Sequence, residues 1–265
     1  MSRIAAALAG QIAEVTLSGM HRLGVSYVTR SLPSGAKLRV RTNDRLARYF
    51  LVDGQFEQAV RNVIRRVVGP GMTVLDIGAN LGYHTVEMSR LVGPEGTVVA
   101  FEPQARMVEE IHANVRINAL RNVRVVPVAL SDSVATRSFY VPVVGDEAMG
   151  SLGDTHRTSV ASVVSVNCTT LDEAIRALGI TTVDFIKMDV EGAELQVVKG
   201  GGSVFAGSTQ PQVVFEAYEA NCAPFGYRVF DLLQRFSAMG YDLTQLDGWD
   251  WHAAPKTWHS VSPHR

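Results

Sequence analysis

TVLDIGANLGYHT, residues 73–85, is the stretch that decides the fold. Thr73 to Ile77 is a short apolar run rich in β-branched residues, with one acid, Asp76, near its end. Gly78, Ala79, Asn80 and Gly82 then supply two glycines, a small residue and an amide for a tight turn, and helical spacing follows. That order reads as a buried strand, a turn and a helix N-terminus. Such a junction leaves backbone amides and the positive end of a helix dipole facing a ligand, so α/β proteins hold nucleotide-like cofactors there. A second strand, Thr97–Phe101, ends at Glu102, an acid placed to accept both hydroxyls of a ribose.

Glycine spacing and charge narrow the cofactor. A dinucleotide turn reads G-x-G-x-x-G, so that a pyrophosphate can approach the backbone. Here the spacing is G-x-N-x-G, with Asp76 two residues before the first glycine. That carboxylate repels a pyrophosphate but suits a ligand carrying an ammonium and a sulfonium, whose own carboxylate meets the helix N-terminus. S-adenosylmethionine (SAM) has this chemistry; NAD is the competing reading.

With 265 residues, 46% hydrophobic and 19% charged, the composition is that of an ordinary soluble α/β domain with decorations. Lys plus Arg number 25 against 26 Asp plus Glu, so no global field recruits nucleic acid or an anionic membrane. Arg39, Arg41, Arg45 and Arg48, and then Arg61, Arg65 and Arg66, read as solvated strand and helix faces. Cys168 and Cys222 have no metal-like spacing and read as reduced thiols. The N-terminus reads as an amphipathic helix rather than a signal, and no run approaches membrane-spanning length. The expectation is a cytoplasmic protein.

Residues 1–54 read as an N-terminal extension, a helix and then short strands at Tyr27–Thr29 and Lys37–Arg41, placed to cap a substrate or contact a second copy. A helix over Glu57–Val68 follows, with Gly69-Pro70-Gly71 as its stop. The chain then alternates. Strands are expected at Thr73–Ile77, Thr97–Phe101, Val123–Val128, Val183–Asp189 and Gln212–Ala217. Helices are expected at Tyr83–Leu91, Ala105–Asn118, Leu171–Leu178 and Ala193–Lys199. An insertion near 136–170 breaks the rhythm, with Ser138–Val144 and Ser162–Asn167 reading as a β-hairpin around a polar loop. Phe230–Met239 is the last helix, and Asp242–Leu246 and Trp258–Val261 are the expected closing strands. Such alternation implies a largely parallel sheet with helices on both faces.

Four further segments follow in order: FEP at Phe101–Pro103, ALSD at Ala129–Asp132, TTLDE at Thr169–Glu173 and DFIKMDVEGAE at Asp184–Glu194. With DIGANLGYHT they closely resemble the FkbM family of SAM-dependent methyltransferases. The resemblance runs from Gln55 to Glu219, and Glu57, Asn114 and Asn118 share it. It implies a class I methyltransferase fold for residues 55–265: a Rossmann-like, seven-stranded, mostly parallel sheet ending in an antiparallel hairpin. It also implies O-methylation of a hydroxyl, often on a sugar or natural-product scaffold. By matching positions, Asp76, Gly78, Asn80 and Gly82, with Ala79 between them, would surround the methionine part of SAM. Glu102, followed by Pro103, would hold the ribose, Ser131 and Asp132 would meet the adenine, and Asp189 would lie beside the methyl donor.

Methyl transfer to oxygen needs an in-line acceptor and help in removing the hydroxyl proton. Asp189 and Glu191 follow one strand and Glu216 ends the next, with Lys187 two residues before Asp189 and so on the same face. These carboxylates suit a tuned base or the oxygen ligands of a magnesium-like cation. Glu191 has the alternative of capping the following helix, and Lys187 that of neutralising Asp189 or Glu216. His84, on the first turn after the glycines, is a candidate base; Tyr83 is equally ambiguous. Glu194 reads as a solvated helix residue. The loop 145–158 reads as a lid in which Ser151, His156 and Arg157 can meet substrate. Trp249, Trp251, Trp258 and Tyr241 offer sugar-stacking faces or cover for the sheet edge.

The expected activity is therefore SAM-dependent O-methylation of a small-molecule acceptor, plain or glycosylated, by a chain that does not bind nucleic acid and has hairpin and helix surfaces for a homodimer. An NAD-dependent oxidoreductase and a non-catalytic SAM-binding module are the competitors.

Overall fold

The computed structural model describes residues 3–44, 46–47, 56–143 and 146–257. Helix α1 (Arg3–Arg22) and the antiparallel strands β1 (Tyr27–Ser31) and β2 (Lys37–Arg41) form the N-terminal extension. Helix α2 (Gln58–Val67) leads into β3 (Thr73–Ile77), α3 (Tyr83–Val92), β4 (Thr97–Phe101), α4 (Ala105–Ile117) and β5 (Val123–Val126). The insertion contributes β6 (Ala129–Leu130), β7 (Ala135–Pro142) and β8 (Val160–Thr169). The chain continues through α5 (Leu171–Ala177), β9 (Phe185–Met188), α6 (Glu194–Gly200), α7 (Gly202–Phe205) and β10 (Gln212–Glu216). It ends with α8 (Glu219–Cys222), α9 (Val229–Ala238), β11 (Tyr241–Gln245) and β12 (Asp250–Pro255).

Among the described residues, seven strands form the main sheet in the order β11-β12-β10-β9-β3-β4-β5. The five strands from β10 to β5 are parallel, and β12 inserts antiparallel between β10 and β11. This is the class I methyltransferase topology. Alternation explains the layering. Leu75, Ile77, Ile186, Met188, Val213 and Phe215 pack on one face with residues of α6 and α9 such as Val197, Val198, Leu232 and Phe236. Val74, Val98, Phe185 and Val214 pack on the other with Val60 and Ile64 of α2 and Met88 and Val92 of α3. Each such buried side chain contributes about 1.5–3 kcal/mol relative to exposure.

From β3 the chain builds outward to β4 and β5, then returns to the other flank of β3 with β9. The order thus reverses between β3 and β9, paired at Asp76↔Lys187 and Ile77↔Met188, and a crevice opens beyond their carboxyl ends.

The extension is fixed to the domain by side-chain amides. Asn114 Oδ1 accepts from the Arg39 N–H (2.7 Å) and its Nδ2 donates to the Arg39 and Leu81 carbonyls. Asn118 does the same at Lys37. Four residues along a helix and two along a strand both advance about 6–7 Å, so two helix amides imitate a neighbouring strand.

Arg61 departs from expectation. It is buried against Glu87 (Nε to Oε2, 3.3 Å) rather than solvated, and Ser34 of the extension donates to the same carboxylate. Among the described residues the last strand is Asp250–Pro255, because the Asp247-Gly248 turn brings the chain straight back beside β11. Trp258–Val261, Arg45 and Arg48 lie outside the described residues.

Candidate functional site

At the carboxyl end of β3 the turn is built from backbone groups with two side-chain acceptors. Gly78 and Ala79 donate their N–H groups to the Phe101 carbonyl at 3.0 and 3.1 Å. Gly78 has φ 77°, and a Cβ there would lie 1.8 Å from the Asp189 carbonyl oxygen, so only glycine lets β3 and β9 approach this closely. Asn80 adopts φ 50° and uses its Oδ1 to accept from the Leu81 N–H. Its own N–H donates to Glu102 Oε2 (2.9 Å), while the Gln104 N–H donates to Oε1 (2.9 Å). The Glu102 carboxylate is therefore fixed in plane in the wall of a cavity of about 360 Å³. Burial pushes its pKa up to about 7 against the pull of those two amides.

Across the cavity stand Glu57 and His84. Glu57 sits at φ 47° ahead of α2, a conformation that costs a non-glycine residue about 1 kcal/mol or more. It meets His84 Nε2 at 2.7 Å. Burial alone would raise the Glu57 pKa, but the hydrogen bond and charge of His84, with Lys187 beyond, bring it below the ordinary value. His84 is itself buried, and its Nδ1 has no hydrogen-bond partner among the described residues.

Lys187 lies between the two sides, with Nζ 3.4 Å from Asp189 Oδ2 and 3.5 Å from the Gly78 carbonyl. Burial would push its ammonium down; the carboxylates of Asp189, Asp76 and Glu57 outweigh that and raise it. Asp189 is raised by burial despite Lys187.

Asp189, Glu191 and Glu216 bring carboxylate oxygens within 4.8 Å of one another. Asn221 Nδ2 donates to Glu191 Oε2 (2.7 Å) and Glu216 Oε2 (3.0 Å), and Arg157 Nη1 donates to Glu191 Oε2 (2.7 Å) and Asn221 Oδ1 (3.1 Å). Burial first, then neighbouring carboxylates, push Glu191 up to about 8 and Glu216 up to about 10. Glu191 has φ 52°, and Gly192 after it packs where a Cβ would be 2.1 Å from the Asn221 carbonyl. The Ser151 hydroxyl donates to the Glu191 carbonyl at 2.7 Å.

The structure therefore brings Gly78, Ala79, Asn80, Glu102, Pro103, Tyr83, His84, Lys187, Asp189, Glu191 and Glu216 into one cavity wall. Asp76 stands behind it. Its Oδ2 accepts from Thr85 (2.5 Å), and its Oδ1 is buried without a partner among the described residues, as is Asp189 Oδ1. Gly82 caps α3 against Ile111. Ser131 and Asp132 stand outside the wall, which Val128, Ala129 and Leu130 form instead; Asp132 is tied to Arg137 at 2.6 Å.

Glu194 is a correction. It is buried, and its Oε1 accepts from the Val190 and Gly192 N–H groups, the capping role considered for Glu191. Of the loop residues, Arg157 lines the cavity and Ser151 braces it, while His156 is exposed and paired with Asp154. Tyr241 is core; Trp249 lines the cavity mouth. Sequence reasoning missed Gln104, which directly follows the Phe101–Pro103 motif, and Tyr218 and Asn221, which belong to no motif.

A family model described as a methyltransferase FkbM domain matches residues 76–243. Methyltransferase sdnD of Sordaria araneosa is 30% identical over 154 residues, 48% of this chain and 59% of that protein. The 2-O-methyltransferase NoeI of Sinorhizobium fredii is 29% identical over 154 residues, 53% of this chain and 62% of that protein. The chain thus covers less than two thirds of the length of either relative. A solved methyltransferase FkbM from Methylobacillus flagellatus superposes over 78% of this chain and 52% of that chain, with 16% identity and a TM-score of 0.47.

Proposed function

The chain belongs to the methyltransferase FkbM family, and from that premise we propose that it is a SAM-dependent O-methyltransferase. Its acceptor is a hydroxyl of a small molecule, a sugar or a glycosylated natural product or glycolipid. The family model and the 2-O-methyltransferase relative support the reaction class. Glu102 is the observation that carries the cofactor: a buried carboxylate, held by two backbone amides, at the end of the second core strand. The residues also fit the rest of SAM. Asp189, in the cavity wall, and Asp76, behind it, each keep a buried oxygen without a partner among the described residues, which suits a cationic ligand nearby.

Bound SAM supplies an electrophilic methyl group on a sulfonium. The chain supplies position, proton removal and exclusion of water. Glu102 accepts the ribose hydroxyls. Lys187 anchors Asp189, which orients the cationic end of the cofactor. Glu57 fixes the imidazole of His84, to which we assign the acceptor's proton. Arg157 and Met149 of the insertion line the cavity and would limit water there.

Calorimetric titration with S-adenosylhomocysteine (SAH) tests this, with NAD as control. Micromolar SAH binding that weakens about tenfold or more in Glu102→Ala is the expected result. NAD binding in its place would overturn the proposal, and SAH binding with no transfer to any hydroxyl would leave a non-catalytic module. Added magnesium probes whether Asp189, Glu191 and Glu216 engage a cation.

A further inference from the structure

Trp249 is 46% exposed, yet it forms part of the cavity wall. The turn between β11 and β12 presents it: the Leu246 N–H donates to the Asp250 carbonyl (2.9 Å) and Gln245 Nε2 to the Gly248 carbonyl (2.9 Å). The Trp249 carbonyl in turn accepts from the Ala217 N–H at 2.8 Å, so the indole is pinned beside the end of β10, where Glu216 stands.

One face of the indole is backed by Tyr218, with ring centroids 3.9 Å apart and planes 26° from parallel. The Arg157 guanidinium is 4.9 Å from the Tyr218 centroid and 5.7 Å from that of Trp249. With the rings 3.9 Å apart, those two distances put the guanidinium beside the stack rather than over the outer face of Trp249. Among the described residues no second ring stacks against the indole, which is held by Tyr218 and 46% exposed. Next to it lies the polar array of Glu216, Asn221, Glu191 and Arg157.

A flat apolar face beside hydrogen-bonding groups selects a particular kind of ligand. A plain aromatic molecule would desolvate the carboxylates and the amide without satisfying them. A second cation would be set against Arg157, which already pairs with Glu191. The Glu216 and Glu191 carboxyl oxygens, the Asn221 amide and the Arg157 guanidinium set acceptors and donors side by side, as hydroxyl ligands require. A six-membered sugar ring offers a face of C–H bonds for the electron-rich indole and a rim of hydroxyls for the polar groups.

We infer that Trp249 is the stacking platform for a pyranose ring of the acceptor, with Glu216, Asn221 and Glu191 reading its hydroxyls. The inference deepens the O-methyltransferase reading and rests on it for the acceptor's role.

Its test is saturation-transfer NMR and tryptophan fluorescence with methyl glucoside, galactoside, mannoside and 6-deoxyhexosides, with and without saturating SAH. Choline is the cationic control. At least one pyranoside should bind, with its ring C–H protons saturated. Trp249→Ala should weaken it about tenfold, and Trp249→Phe less, with SAH affinity unchanged in both. No pyranoside binding to SAH-loaded protein, equal binding by Trp249→Ala, or choline binding in its place would each overturn the inference. Trp249-dependent pyranoside binding by a chain that ignores SAH would support the platform and sink the cofactor reading instead.

Discussion

Around Gly78 the cavity wall is drawn by main-chain atoms, whereas around Glu191 it is drawn by side chains from separate elements. In the first region the Gly78, Ala79 and Asn80 amides and the Phe101 carbonyl set the shape, and Glu102 is clamped by two N–H groups. In the second, Arg157 of the insertion, Glu191 after β9, Glu216 of β10 and Asn221 of α8 hold one another through bonds of 2.7 to 3.1 Å. A wall of backbone tolerates change in most side chains but none in its glycines. A wall of side chains can be rebuilt one residue at a time, which is how one scaffold can hold a fixed cofactor and change its acceptor.

Two glycines offer the strongest way to break this division. In Gly78→Ala the new Cβ would collide with the Asp189 carbonyl at 1.8 Å from a backbone at φ 77°. A loss of about 3 kcal/mol or more is expected, together with loss of SAH binding. Gly192→Ala meets a similar collision, 2.1 Å from the Asn221 carbonyl at φ 104°. It should cost comparable stability but leave SAH affinity within about threefold at temperatures where the protein is folded. Thermal melts and calorimetry read both. Equal loss of SAH binding in the two variants would mean that the regions are one cooperative unit.

The same division governs what the sequence discloses. Residues 73–85 and 97–102 make their turn from neighbours in the chain, so glycine, amide and acid positions were legible without coordinates. The strand bounds Thr73–Ile77 and Thr97–Phe101 came out unchanged for that reason. The acids Asp189, Glu191 and Glu216 were legible as strand-end carboxylates. What holds them was not: Asn221 lies 30 residues from Glu191 and Arg157 lies 34 away. Arg61 misled because helical periodicity counts a charge as solvated and nothing local shows that Glu87 awaits it, whereas Glu194 misled although the amides it accepts from, Val190 and Gly192, lie only four and two residues back.

A smaller effect sharpens the contrast. Arg157→Ala removes the guanidinium from Glu191 and Asn221 and leaves a buried carboxylate cluster with less compensation. The expected cost is about 1–3 kcal/mol by thermal melt. SAH affinity should change less than about threefold, while acceptor turnover falls. Glu57→Gln should instead lower turnover by about a hundredfold, because His84 loses the carboxylate that orients it, and should also lower stability at neutral pH, where the ionised Glu57 contributes. A parallel loss of SAH affinity in either variant would contradict the separation.

The smallest effect is a pH slope, and its sign follows from protons bound. Glu216 and Glu191 move from an ordinary 4.5 in the open chain to about 10 and about 8 when folded, and Glu102 to about 7. Between those values the native state keeps protons that the unfolded chain has released, so unfolding free energy falls as pH rises. Their stabilising contribution is complete below 4.5 and is lost on the alkaline side. Glu57, lowered by His84, acts oppositely: its contribution is present above the unfolded pKa and lost as pH falls through the folded one. Melting temperature of the ligand-free protein should drop about 2–6 °C between pH 6 and 9. The two regions then separate by window. Glu102→Gln should flatten the slope only below pH 7, whereas Glu216→Gln should flatten it on both sides of pH 7, because that proton is held from 4.5 to about 10. A slope above pH 8 that survives Glu216→Gln would place the raised carboxylate elsewhere in the cluster.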